Sequence, residues 1–368
     1  MACDVTALAT PGVRGLQPYQ PGKPIEELER EYGIRDIIKL ASNENPLGAS
    51  PLGLDAARMA LADVYRYPDG NGFALKARLA ERHGVGITQI TLGNGSNDVL
   101  ECVARAFVIP DNEVVFSEHA FAVYPIVTRA VGAKAVVTAA KAWGHDLDAM
   151  RAAITSRTRL VFIANPNNPT GTWLRTSELE GFIRSLPDHV LVVVDEAYFE
   201  YVREPDYPDA STWIGRYPNL VVTRTFSKAY GLAGLRVGYG ISSAEVADML
   251  NRVRQPFNVN SIALAAATAA LDDAAHLRRS IDANTAGLQV LMNGCRELGL
   301  DYIASVGNFL CVNLGRTAAP AYEAMLRLGV IVRPLVNYGM PNHLRVTVGR
   351  PQENERFLKA LEKVIRER

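Results

Sequence analysis

Short apolar runs alternate with longer stretches in which apolar residues recur at helical spacing through the first two thirds of the chain. The apolar runs predict strands at residues 114–116, 135–137, 160–163, 190–194, 220–223 and 236–240. The helical spacing predicts helices between them at 97–107, 123–131, 177–185 and 244–251. Continuous apolar runs are typical of strands buried on both faces. The pattern therefore predicts an α/β fold with one large, mostly parallel sheet flanked by helices.

The pattern changes after about Ser261, where helical spacing becomes dominant and is followed by three strand-like pieces and a final helix. We predict three parts: an N-terminal arm with part of a small domain at 1–40, a large domain at 41–260, and a C-terminal small α+β domain at 261–368. Prolines and glycines exclude a long helix from the first twenty-odd residues. The arm is compatible with a loose tail or with an ordered segment held by Leu16 and Tyr19.

Composition narrows the possible partners. The chain has 368 residues, 48% of them hydrophobic, and its 39 Lys and Arg equal its 39 Asp and Glu. This balance gives no basic field for nucleic acid or an anionic membrane. No apolar stretch reaches the length of a membrane span, and the N-terminus lacks a signal-peptide pattern. We therefore expect a cytoplasmic protein. The four cysteines and six histidines show no metal-ligand spacing, so no metal site is expected.

Lys228 is the strongest candidate for chemistry. It follows the strand predicted at 220–223, in a segment rich in Gly, Ala and hydroxyl residues. Burial disfavours the charged form of a lysine, lowers its pKa and makes its amine a nucleophile towards a carbonyl. Arg236, eight residues later, can bind a phosphate through two hydrogen bonds. A partner that carries both a carbonyl and a phosphate suggests pyridoxal phosphate.

Two further segments support this cofactor. Asp195 ends the apolar run at 191–194, where a carboxylate could keep a pyridine nitrogen protonated. Ser96 and Asn97 follow two glycines at the start of a predicted helix, where free amides could bind phosphate. An ordinary helix N-cap is the alternative explanation for Ser96 and Asn97. The hydroxyls of Thr225 and Ser227 could complete the phosphate site.

The chain resembles the fold-type-I pyridoxal-phosphate aminotransferases of class I/II. The residues that carry this resemblance are Asn168-Pro169-Thr170-Gly171, Asp195-Glu196-Ala197-Tyr198, Ser227-Lys228 and Arg236. Further segments are similar to the histidinol-phosphate aminotransferases, namely Leu16-Gln17-Pro18-Tyr19-Gln20-Pro21-Gly22, Leu40-Ala41-Ser42-Asn43-Glu44-Asn45-Pro46, Tyr65-Arg66-Tyr67-Pro68-Asp69 and Leu344-Arg345-Val346-Thr347-Val348-Gly349.

The resemblance implies further cofactor contacts. Asn168 and Tyr198 match residues that hydrogen-bond the cofactor's phenolic oxygen. The resemblance implies that Lys228, Asp195 and Tyr198 are the catalytic residues. Phe121 matches an aromatic position over the pyridine ring, where tyrosine is usual in the family. Tyr67 matches a tyrosine that reaches the phosphate of the neighbouring subunit, which implies a homodimer.

The resemblance also implies the substrate contacts and the reaction. Arg345 and Arg333 match arginines that bind the substrate's anion, with Tyr19 and Asn43 in the same pocket. The implied reaction moves an amino group between L-histidinol phosphate and 2-oxoglutarate, in histidine biosynthesis, through a Schiff base on Lys228 and ping-pong kinetics.

Other functions remain open at this point. The protein could be an aromatic-amino-acid aminotransferase, because apolar Phe121 leaves room for an aromatic side chain and Arg345 could also bind a carboxylate. A phosphothreonine decarboxylase of the same fold would also need a Schiff-base lysine and phosphate-binding arginines. A pyridoxal-phosphate-sensing transcription regulator would need a DNA-binding domain, for which the arm before Ile25 is too short.

Overall fold

The computed structural model describes residues 3–366. The strands are β1 Ile38–Lys39, β2 Ile90–Gly93, β3 Glu113–Ser117, β4 Lys134–Thr138, β5 Ala140–Lys141, β6 Gly144–His145, β7 Thr158–Ala164, β8 Leu191–Asp195, β9 Leu220–Thr225, β10 Gly238–Ser242, β11 Asp301–Ile303, β12 Phe309–Asn313, β13 Val330–Ile331, β14 Arg333–Leu335 and β15 Met340–Thr347. The helices are α1 Val5–Leu8, α2 Pro11–Arg14, α3 Ile25–Tyr32, α4 Pro51–Ala60, α5 Phe73–His83, α6 Ser96–Phe107, α7 Val123–Ala130, α8 Leu147–Ala152, α9 Thr176–Arg184, α10 Ala244–Val253, α11 Ser261–Ala270, α12 Ala274–Glu297, α13 Ala319–Arg327 and α14 Pro351–Arg366.

A seven-stranded sheet in the order β2-β10-β9-β8-β7-β3-β4 forms the centre of the molecule. Neighbouring strands from β9 to β4 are parallel, and β10 is antiparallel to both β9 and β2. Helices cover both faces. The predicted α/β fold, with a mostly parallel sheet flanked by helices, is therefore confirmed.

The side chains of β8 explain why this sheet is covered on both faces. Val192 and Val194 belong to one hydrophobic core, and Val193 between them belongs to another. Successive side chains of a strand point to opposite faces, so an unbroken run of valines requires apolar packing on both. All three valines are fully buried.

A second sheet, of four strands in the order β11-β12-β15-β14, lies in the C-terminal part of the chain. It packs with α12, α13 and α14 around a separate core that includes Leu310, Val346 and Phe357. The N-terminal segment joins this part, because β1 pairs in parallel with β13. The division of the chain at residues 40/41 and 260/261 stays a prediction.

The strand predicted at 236–240 is wrong at its start. The strand β10 begins at Gly238, and Arg236 has a left-handed backbone conformation with φ 55°. The antiparallel direction of β10 was also not anticipated. Residues 226–237 connect β9 to the antiparallel β10, and Arg236 lies near the end of this connection, outside the strand.

Within residues 3–366, no helix combines the length and the apolar character needed to cross a membrane. The same residues contain no cluster of three or more His, Cys, Asp or Glu side chains that could hold a metal ion.

Candidate active site

A cavity of about 300 Å³ opens at the carboxyl ends of the parallel strands. Parallel strands direct the loops that follow them to one edge of the sheet, where ligands commonly bind. Most of the predicted site residues lie in such loops and line this cavity, namely Ser96 and Asn97 after β2, Phe121 after β3, Asn168 after β7, Asp195 and Tyr198 at the end of β8, and Thr225, Ser227 and Lys228 at the end of β9. Arg236, Arg333, Arg345, Tyr19 and Asn43 complete the lining from other segments.

Lys228 projects into the cavity with its amine largely withdrawn from solvent. Its Nζ donates to the carbonyl oxygen of Ser42 at 3.2 Å, and it lies 5.7 Å from the ring centre of Tyr198. Burial, together with the nearby cations of Arg345 and Arg236, lowers the pKa of this amine to about 7. A substantial fraction of Lys228 is therefore neutral and nucleophilic near neutral pH.

Asp195 lies at the bottom of the cavity and is 5% exposed. Its two carboxylate oxygens accept hydrogen bonds from Thr223 Oγ1 and from the hydroxyl of Tyr124, each at 3.0 Å. Burial raises the pKa of Asp195, while these hydrogen bonds and the charge of Lys228 favour its ionised form. A ligand that presents a cationic N–H at this position would offset the cost of burying the carboxylate.

One end of the cavity is built to receive an anion. Arg236 Nη1 lies 3.4 Å from Ser227 Oγ, which accepts in turn from Thr225 Oγ1 at 3.0 Å. Gly95 precedes α6 with φ 79°, and a Cβ on it would lie 2.5 Å from Arg236 Nη2. The glycine thus lets the guanidinium approach the free amides at the helix start. Among the ion pairs of the described residues, none neutralises Arg236.

Two more guanidinium groups line the cavity. Arg345 donates to Asn168 Oδ1 at 2.5 Å and to the carbonyl of Ala41 at 2.8 Å, and its Nε is buried without a partner. Arg333 donates to the carbonyl of Gln20 at 2.5 Å. Both are only 6% exposed, and no carboxylate within residues 3–366 pairs with either. Buried cations without a counter-ion favour an anionic ligand.

The remaining predicted residues frame the cavity. The hydroxyl of Tyr198 accepts from Asn43 Nδ2 at 2.8 Å, and burial raises the pKa of Tyr198 to about 12. Phe121 lines the wall and packs edge-on against Tyr124, with ring centres 5.9 Å apart. Tyr19 covers Arg333 at 5.5 Å from its ring centre, so this part of the arm contacts the C-terminal part of the chain.

Tyr67 is the one predicted residue that this chain does not bring to its own cavity. It is 83% exposed and stacks on Phe257 with ring centres 4.8 Å apart. Its predicted contact with a neighbouring subunit stays a prediction.

Sequence reasoning missed several residues that complete the site. Tyr124 and Thr223 hold Asp195, while Glu44 and Tyr338 line the cavity. Tyr124 lies three residues after Phe121, but α7 begins at Val123, so helical spacing does not relate the two residues and gave no signal for Tyr124. Tyr338 comes from the C-terminal part of the chain, and no local pattern connects it to this edge of the sheet.

The residues present fit the pyridoxal phosphate expected from the sequence. A neutral amine, an unneutralised arginine beside free helix amides, and a buried carboxylate that lacks a cationic partner are the three groups that this cofactor needs. All three line one cavity.

The sequence is similar to those of known aminotransferases. Residues 35–361 match the family described as aminotransferase class I and II. The chain is 65% identical over 367 residues to histidinol-phosphate aminotransferase 2 of Pseudomonas fluorescens, with 99% of each chain covered. It is 61% identical over 364 residues to the protein of the same name from Pseudomonas aeruginosa, covering 98% of this chain and 99% of the relative.

A solved structure is similar over nearly the whole chain. The histidinol-phosphate aminotransferase of Sinorhizobium meliloti, in complex with pyridoxal-5'-phosphate, has a TM-score of 0.87 and 30% identity, with 97% of both chains covered. The predicted resemblance is therefore confirmed, and the chain belongs to the class I and II aminotransferases and, among them, to the histidinol-phosphate aminotransferase family.

Proposed function

We propose that the protein is a histidinol-phosphate aminotransferase of histidine biosynthesis, which uses pyridoxal phosphate bound to Lys228. It would exchange the amino group between L-histidinol phosphate and 2-oxoglutarate, with imidazole-acetol phosphate and L-glutamate as products. The observation that carries this proposal is a set of three arginines around one cavity that form no ion pair with any residue in the described range 3–366. One lies where a cofactor phosphate would bind, and two lie where a substrate phosphate would bind.

The cofactor would be held by groups that the chain already orients. Arg236, the amides of Ser96 and Asn97, and the hydroxyls of Thr225 and Ser227 would bind its phosphate. Asp195 would keep the ring nitrogen protonated, with Tyr124 and Thr223 holding the carboxylate in place.

Further residues of the cavity would orient the cofactor ring. Asn168 and Tyr198 would hydrogen-bond the phenolic oxygen, and Phe121 would pack against the ring. When bound, pyridoxal phosphate supplies a reactive aldehyde and a ring that accepts electrons from a carbon that loses its proton.

Lys228 would act as both the attachment point and the general base. Once an incoming amine has released it, its amine can remove the proton from the amine-bearing carbon of the substrate. Its pKa of about 7 suits this role, because a base is most effective when its pKa lies near the working pH. Two alternating half-reactions on one site imply ping-pong kinetics.

The substrate's phosphate would bind between Arg333, Arg345 and Tyr19. Histidinol phosphate has no carboxylate, so a dianionic phosphate must satisfy these guanidiniums. Arg345 would also bind the carboxylate of glutamate in the second half-reaction. Its unpartnered Nε and its neighbour Arg333 provide donors for both anions.

A substrate panel tests the proposed specificity. With 2-oxoglutarate as acceptor, we expect kcat/KM for histidinol phosphate to exceed that for phenylalanine by roughly 10- to 100-fold, because a paired phosphate–arginine contact adds roughly 1.5–3 kcal/mol. Arg333→Gln should lower kcat/KM for histidinol phosphate at least about tenfold more than for phenylalanine. Arg327→Gln, at an exposed position on α13, is the control.

The same panel separates the rival functions. A preference for phenylalanine would replace the proposal with an aromatic-amino-acid aminotransferase. Release of carbon dioxide from phosphothreonine without 2-oxoglutarate would replace it with a decarboxylase.

Capture of the cofactor should depend on pH through Lys228. We expect the rate at which cofactor-free protein binds pyridoxal phosphate covalently to rise with pH through a midpoint of about 7, because only the neutral amine attacks the aldehyde. Arg345→Gln should move the midpoint upward, since it removes a cation that lowers the pKa of Lys228. Stopped-flow absorbance measures both. A wild-type midpoint near the ordinary lysine value of 10.5 would contradict this expectation.

A homodimer and a cytoplasmic location belong to the same proposal. Apolar side chains around Tyr67 are exposed, among them Met59 at 79%, Val64 at 57% and Tyr65 at 73%. A second copy that covers this segment would bring Tyr67 to its cofactor phosphate. Sedimentation velocity should then give twice the 40.1 kDa mass of the chain. The four cysteines are unpaired, which fits a reducing compartment.

A further inference from the structure

A chain of hydrogen bonds connects the C-terminal sheet to the hydroxyl of Tyr198. Thr347, the last residue of β15, accepts the backbone N–H of Asn43 at 2.9 Å and donates to Asn43 Oδ1 at 3.2 Å. Asn43 Nδ2 donates to the hydroxyl of Tyr198 at 2.8 Å. Thr347 and Tyr198 are each 3% exposed and Asn43 is 1% exposed, so water does not replace these partners. Thr347 itself does not line the cavity.

Asn43 is fixed from more than one direction. Its backbone has φ 55°, a left-handed conformation that asparagine tolerates better than most residues. Its carbonyl accepts from Asn308 Nδ2 at 3.0 Å, and the backbone N–H of Thr347 donates to Leu40 at 2.8 Å. The amide side chain of Asn43 therefore has little freedom except rotation about its own axis.

The proton of Thr347 selects between the two orientations of that amide. Because Thr347 Oγ1 already accepts from the backbone of Asn43, its own proton is available to a carbonyl oxygen. Asn43 therefore presents Oδ1 to Thr347 and Nδ2 to Tyr198. In the reversed orientation Oδ1 would face Tyr198 and would accept the tyrosine's proton instead.

The orientation of Asn43 in turn decides where the proton of Tyr198 points. A phenol has one O–H proton, and its oxygen here accepts from Asn43. Its proton therefore remains available to an acceptor in the cavity. Under the proposed function that acceptor is the phenolic oxygen of the cofactor.

We propose that Thr347 is a positioning residue that acts through the amide of Asn43 to direct the hydroxyl proton of Tyr198 into the active site. This inference rests on the proposed function, because it needs a cofactor oxygen as acceptor. It also couples the C-terminal sheet, which carries Thr347, to the end of β8, which carries Tyr198.

The test is a spectroscopic pH titration of the protein loaded with pyridoxal phosphate, in which the visible absorbance band reports protonation of the cofactor–lysine linkage. A hydrogen bond to the phenolic oxygen stabilises its negative charge and lowers the midpoint. Tyr198→Phe should raise the midpoint by roughly one to two pH units. Thr347→Val, which cannot donate to Asn43, should raise it by at least about half as much as Tyr198→Phe does.

Matched variants separate this role from general packing. Thr347→Ser keeps the hydroxyl and should restore the wild-type midpoint. Thr91→Val changes a buried threonine of β2 whose hydroxyl has no partner, and it should leave the midpoint unchanged. The double variant Thr347→Val/Tyr198→Phe should titrate like Tyr198→Phe alone, because both changes remove the same hydrogen bond.

The outcomes are distinct. An unchanged midpoint in Thr347→Val, or additive shifts in the double variant, would overturn the inference and leave the proposed function intact. Failure of the wild-type protein to form any titrating band would instead overturn the proposed cofactor. If Thr347→Val does not fold, Thr347→Ala removes the same donor with a smaller side chain and carries the same expectation.

Discussion

Lys228→Ala should lower the transamination rate by about 10⁴-fold or more, because under the proposed function one side chain supplies both the covalent attachment and the general base. Among the described residues that line the cavity, Lys228 is the one lysine, and the other basic residues are arginines. Steady-state rates with histidinol phosphate and 2-oxoglutarate would measure the loss. Lys359→Ala, on the exposed face of α14 beside Glu355, is the control and should retain full activity.

Two further measurements identify the cause of that loss. The melting temperature of Lys228→Ala should not fall, because the substitution removes a buried amine whose single hydrogen bond is to Ser42. A small primary amine added to the variant should restore part of the rate, since it replaces the missing base. A residual rate within about tenfold of wild type would remove Lys228 from the mechanism.

Asp195→Asn should lower kcat by about 10³-fold while KM for histidinol phosphate changes little. An amide has the size of the carboxylate but no charge, so the ring nitrogen would lose the anion that keeps it protonated. The substrate's phosphate, which we propose is bound by Arg333 and Arg345, would be unaffected. Asp248→Asn, an exposed position on α10, is the control.

The effect of Asp195→Asn should also depend on pH. Because a more acidic solution favours protonation of the ring nitrogen, lowering the pH should recover part of the lost kcat in the variant and not in the wild type. A loss smaller than about tenfold at neutral pH would show that the charge of Asp195 is not needed.

Much of the fold could be predicted because its signals are local. The unbroken valines of β8 indicate a strand buried on both faces, and the structure places Val192 and Val193 in different cores. The antiparallel direction of β10 could not be predicted in this way. Strand direction depends on the path of the whole connection at 226–237, which no local apolar pattern reveals, and the left-handed conformation of Arg236 within it is rare for an arginine.

The positions of Lys228 and Asp195 at the cavity could also be predicted from the sequence. Lys228 and Asp195 follow strands, and the carboxyl ends of parallel strands meet at one edge. The residues that hydrogen-bond Asp195 could not be predicted. Tyr124 and Thr223 have ordinary explanations as core residues, and only their 3.0 Å contacts with Asp195 assign them to the site.

The α/β architecture and the candidate roles of Lys228 and Asp195 could be predicted from the sequence, because apolar periodicity and residues that follow strands are properties of short segments. The fold was needed to show that Arg345 and Arg333 lie in the same cavity as Lys228 with no counter-ion among residues 3–366, and that Thr347 donates to Asn43, 304 residues away in the chain. Charge compensation and hydrogen-bond direction depend on which atoms meet in space, and separation along the chain does not reveal that.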